Sequence, residues 1–108
     1  MIRPKALLLI LSGLCFSTPS LAGDPAVGQK IAEAECAKCH AIGKEGTSPL
    51  TSAPPFRTFS QKWPVEDLQE ALAEGISVGH GPMPEFIFEP VEIADLIAYL
   101  LTLQTERP

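Results

Sequence analysis

The five residues Cys36-Ala37-Lys38-Cys39-His40 constrain this 108-residue chain more than any other feature. Two thiols three positions apart fit on one short turn, and an imidazole follows at once. This is the C-x-x-C-H pattern of covalent haem attachment. The thiols add to the two vinyl groups on one edge of the porphyrin, the residues between them form the turn, and the histidine lies under the ring with a nitrogen for iron. Two other chemistries use similar pairs. A redox-active disulfide of thioredoxin type sets its pair beside a β-strand, and no window here alternates with period two. A structural zinc site needs four ligands, and His80 is the obvious fourth. Haem attachment needs export, a helix before the motif and a distal ligand after it, and the sequence offers all three.

Export is read from residues 1–22. Arg3 and Lys5 make a positive start, residues 6–11 are unbroken apolar, and Leu14 and Phe16 extend the run. Ser20 and Ala22 present small residues where a signal peptidase reads, so cleavage after Ala22 is expected. The apolar run is too short for a comfortable membrane span. Cys15 is not read as a lipidated cysteine, because Leu14 stands where such a site wants a small residue. Without Arg3 and Lys5 the chain keeps 6 of its 8 cationic residues against 13 acidic ones, and the net charge goes from −5 to −7. That charge argues against nucleic acid or an anionic membrane as partner. A domain covering 23–108 is small enough to need an added staple.

Three helices are expected in that domain. The first covers 24–38, with Asp24 as N-cap, Pro25 at the first helical position, and Val27, Ile31, Ala34 and Lys38 at helical steps, with Ala32 and Ala37 filling in. Residues 41–62 read as irregular, rich in Gly, Pro, Ser and Thr. A second helix spans 64–74, opened by Pro64, with Glu66 and Asp67 near its positive end and Gly75 placed to end it. Loop returns over 76–89. The third helix runs from Pro90 to Leu103, with Ile93, Leu96, Ile97, Leu100 and Leu101 as its inner stripe. The expectation is an all-α domain of three main helices, with long loops wrapped around one cofactor.

An iron that cycles between two oxidation states wants a sixth ligand that stays bound in both. Beyond residue 22, Met83 is the one methionine and His80 the one other histidine. Met83 is flanked by Pro82 and Pro84, which stiffen the loop, and preceded by Gly81, which permits close backbone approach. A thioether raises the reduction potential relative to a second imidazole. Met83 is preferred, and His80 is expected to be partly exposed near the haem edge.

Taken together, these residues resemble class I cytochrome c, specifically the small bacterial monohaem domains. The likeness rests on Gly28 eight residues before Cys36, the attachment motif, the segment Gly81-Pro82-Met83-Pro84, and a last helix containing Leu96-Ile97-Ala98-Tyr99-Leu100. It implies the cytochrome c fold with one haem c, attached at Cys36 and Cys39 and ligated by His40 and Met83. It implies a periplasmic or secreted electron carrier rather than an enzyme. Such a carrier would be monomeric, would serve redox partner proteins, and would have no membrane span after signal cleavage. Two alternatives stay open: a haem enzyme or gas binder with a labile sixth ligand, and a dedicated electron-transfer subunit of a dehydrogenase or sulfur-oxidising complex.

In the family a small residue on the first helix meets an aromatic on the last, and Gly28 and Tyr99 match those positions. Ala32 stands where the family often has an aromatic, which is expected to weaken the seam between the helices. Pro54 or Pro55, with Pro49 as a further option, is the candidate whose carbonyl orients His40. Arg57 and Trp63 are candidate partners for the haem propionates. Phe56, Phe59, Leu68, Phe86 and Ile97 are candidate pocket walls.

Overall fold

The computed structural model describes residues 6, 8–15, 22–75 and 83–105. Three α-helices carry the domain: α1 (Pro25–Glu35), α2 (Leu68–Glu74) and α3 (Pro90–Leu103). Two short 310 helices, Phe56–Gln61 and Val65–Asp67, precede α2. Among the described residues there is no strand.

α1 starts where the sequence places it. Asp24 is extended, its carboxylate accepts the Ala26 N–H at 2.9 Å, and Pro25 follows at the position where a missing N–H costs nothing. The helix ends three residues earlier than expected. The Cys36 and Ala37 N–H groups both donate to the Ala32 carbonyl, and the chain then tightens into the turn Cys36–Cys39. α3 has the predicted bounds. A reciprocal pair opens it: the Glu89 N–H donates to the Glu92 carboxylate at 2.8 Å, and the Glu89 carboxylate accepts from the Glu92 N–H.

α1 packs on α3 through the smallest residues it has. Gly28 and Ala32 are buried, whereas Val27 and Ala34 are exposed and Ile31 is half-buried. This corrects the expected inner stripe of α1. The reason is proximity of backbone: a Cβ on Gly28 would overlap the Asp95 carbonyl and lie 2.8 Å from the Tyr99 Cβ. Ala32, fully buried, belongs to this close seam rather than weakening it. The seam is pinned at one end by Asp95, whose carboxylate accepts the Asp24 N–H at 2.7 Å. Asp95 is the one buried charged residue among those described, and a buried carboxylate needs such a partner.

On α3 the buried face is Ile93, Leu96, Ile97, Tyr99, Leu100 and Leu103. Leu101 is half exposed, so Leu103 takes the place expected for it. Residues 56–61, expected to be irregular, form a 310 helix that buries Phe56 and Phe59. Residues three apart share one face of a 310 helix, and a single aromatic pair is too short a pattern to show a period. The second predicted helix begins with a 310 turn at 65–67 before becoming α2, and it stops at Gly75, whose φ of 87° suits a residue without Cβ.

Tyr99 ties α3 to the chain just beyond the motif, donating its hydroxyl to the Ile42 carbonyl at 2.7 Å. Burial, and then the charge of Glu33, push its ionisation above the ordinary tyrosine range. The neutral phenol is therefore the form the fold prefers. Its contribution is whole below the unfolded-state pKa, about 10, and is lost as pH rises through the higher folded value. Tyr99→Phe is expected to cost about 1 kcal/mol at neutral pH. In denaturant melts the gap to wild type should close above about pH 10. A gap that stays constant from neutral pH into that range would contradict this assignment.

Candidate functional site

The attachment motif leaves α1 as a compact turn. The Cys39 and His40 N–H groups both donate to the Cys36 carbonyl, at 3.2 and 3.0 Å. The following loop folds back on it: the Leu50 N–H donates to the Cys39 carbonyl at 3.1 Å, and the Ala41 N–H to the Ser48 hydroxyl at 3.0 Å. Cys36 and Cys39 are half-buried free thiols. Burial, with the neighbouring Glu35 charge adding, pushes the Cys36 thiol up to about 11. A redox-active disulfide of thioredoxin type needs the opposite, a thiol held low. The turn presents two thiols on one short arc, which suits covalent bonding to two substituents on one edge of a planar group.

His40 is oriented by a hydrogen bond. Its Nδ1 lies 2.7 Å from the Pro54 carbonyl. A carbonyl only accepts, so this bond places the proton on Nδ1 and leaves the Nε2 lone pair for a metal. Nε2 has no hydrogen-bond partner among the described residues. Of the three prolines considered, the structure selects Pro54. Phe56 and Phe59 flank the imidazole, with centroids 5.1 and 6.2 Å away, and Trp63 meets Phe59 edge-on at 5.1 Å. This set fits a flat, apolar group that two thiols can bond and whose metal an imidazole nitrogen can hold.

The other expected residues are placed as follows. Met83 is half-buried at the start of the segment 83–89, while His80, Gly81 and Pro82 lie outside the described residues. Phe86 and Phe88 stack at 5.5 Å, with Ile87 between them almost wholly exposed. Arg57 donates to the Gly46 carbonyl at 2.8 Å, so at least one of its N–H groups serves the 41–55 loop. Trp63 is partly exposed, Leu68 half-buried, and Ile97 buried in the core. Sequence reasoning missed Ser48, Asp95 and Gln104. Asp95 carried a signal, as a lone carboxylate on the apolar face of α3; Ser48 and Gln104 carried none.

A helical domain whose first helix delivers two free thiols and an oriented imidazole to one turn is of the c-type haem class. The Cytochrome c family profile matches residues 25–104, and the chain belongs to that family. It is similar to cytochrome c6 of Picosynechococcus sp., 33% identical over 101 residues that span 88% of this chain and 86% of that protein. It is also similar to cytochrome c6 of Nostoc sp., 32% identical over 104 residues, 90% of this chain and 91% of that one. A cytochrome c-553-like protein of Synechocystis sp. is 34% identical over 84 residues, 78% of this chain and 73% of its own length. No solved structure matches the chain. As a c-type cytochrome the protein carries one covalently bound haem c.

Proposed function

We propose that this c-type cytochrome is an exported electron carrier whose haem is joined to Cys36 and Cys39, with His40 Nε2 and Met83 as the axial ligands. Its activity is electron transfer rather than catalysis, as for its family. The haem supplies an iron that gains and loses one electron. The chain's own residues do the rest. Cys36 and Cys39 fix the edge of the group, His40 offers an oriented nitrogen, and Phe56 and Phe59 keep water from the imidazole face. The observation that carries the reading is the 2.7 Å contact from Nδ1 to the Pro54 carbonyl. Such a bond fixes the tautomer and raises ligand basicity.

Met83 completes the set, because a filled sixth position keeps small molecules off the iron and a thioether suits a high potential. Residues 1–22 act as the export signal, and the work is done in the periplasm or after secretion. No helix among the described residues is long and apolar enough to cross a membrane. The acidic charge of 23–108 steers the protein to redox partners with basic docking surfaces.

Met83→Ala tests the sixth ligand. Oxidised wild type should show a methionine–iron charge-transfer band, and the variant should lose it and bind carbon monoxide rapidly when reduced. A band that survives the substitution, or a wild type that is already high-spin, would overturn the ligand assignment.

A further inference from the structure

Gln104 follows the last residue of α3, and in sequence it looks like an ordinary polar residue at a helix end. Its carboxamide is instead half-buried and bonded to two separate elements. The Ser60 N–H donates to Oε1 at 2.9 Å, and Nε2 donates to the carbonyls of Phe56 and Leu100, each at 2.8 Å. The Leu100 carbonyl is among the last four of α3, which have no helical donor. One amide therefore ties the end of α3 to the 310 helix 56–61.

That helix needs an outside tie. It has no side-chain cap, and 310 runs of its length are uncommon. It also carries the surroundings of His40. Phe56 and Phe59 flank the imidazole, and the Phe56 N–H donates to the Ala41 carbonyl at 3.0 Å. Pro54, whose carbonyl meets Nδ1, lies two residues before the helix. A shift of Phe56 is thus felt both at the residue after His40 and at the group that orients it.

We propose that Gln104 is a positioning residue for the His40 imidazole, holding the 310 helix, and with it the Pro54 carbonyl, in register with Nδ1. The inference rests on the reading of His40 as an axial ligand. A well-placed carbonyl makes the imidazole a better donor to iron and favours the oxidised form. Loosening the clamp weakens that bond and moves the equilibrium toward the reduced form.

The test uses the holoprotein with Gln104→Leu, and Gln104→Met as a second variant nearer in shape. Asp95→Asn is the comparison, since Asp95 serves the start of α1 and bonds neither the 310 helix nor His40. Both Gln104 variants should shift the redox equilibrium toward the reduced form by up to about tenfold, or about 59 mV for one electron. The hyperfine-shifted His40 proton resonances of the oxidised protein should move, and the Phe56 amide should exchange faster. Asp95→Asn, though less stable, should leave the potential and the His40 resonances in place. Wild-type potential and resonances in both Gln104 variants would overturn the proposal, as would an equal shift in Asp95→Asn. If the wild-type His40 ring shows no hyperfine shift, the axial reading itself has failed, and the comparison among variants separates that outcome from failure of the clamp.

Discussion

Replacing both Cys36 and Cys39 with alanine should yield an exported polypeptide with no attached tetrapyrrole and no cooperative thermal transition. The cytochrome c domain, matched over residues 25–104, is small, and domains of this size are marginal on protein core alone. The core here is one-sided. α3 is buried along its inner face, while Cys36, Cys39 and His40 are only half-buried around the turn that should grip the cofactor. Net stabilities of ordinary domains are about 5–15 kcal/mol, so loss of a large, covalently held apolar group is expected to be enough to unfold the chain. Mass spectrometry and circular-dichroism melts of the double variant give the answer. A cooperative melt without the cofactor would show that the protein core suffices. Cys36→Ala alone should do less, because one thioether still anchors the group.

Gly28→Ala sets two effects against each other. Alanine is the better helix former by about 1 kcal/mol. Its methyl would, however, overlap the Asp95 carbonyl and crowd the Tyr99 Cβ at 2.8 Å. The main obstacle is backbone, which cannot swing aside as a side chain can, so α1 and α3 must separate. We expect a net loss of about 3 kcal/mol or more. In a domain of this size that lowers the melting temperature by roughly 12–24 °C. Gly28→Val should be worse, since it adds bulk and forfeits the helical gain. A melting temperature for Gly28→Ala at or above wild type would mean that the seam is not as close as the structure has it.

The legible parts of the protein are those whose determinants lie near one another in the chain. Asp24 and Pro25 mark the start of α1, Pro90 through Leu103 carry a helical stripe without interruption, and Gly75 ends α2. The attachment motif is five consecutive residues, so its chemistry could be read without any fold. The 310 helix at 56–61 was hidden because its signal is one aromatic pair. The face of α1 was misread because hydrophobicity marks Val27 and Ile31, whereas the close approach of α3 selects Gly28 and Ala32 for their lack of bulk.

By itself, then, the sequence determined the class of protein, the attachment motif, the start of α1, the end of α2 and both bounds of α3, since each depends on neighbours within a few positions. Only the tertiary structure decided that Pro54 rather than Pro55 or Pro49 meets His40, that Asp95 holds the start of α1, and that Gln104 ties α3 to the 310 helix. Those contacts join residues 14, 71 and 48 positions apart. No local preference encodes such a pairing. It exists only once the helices have packed and brought a donor to within reach of a distant carbonyl or carboxylate.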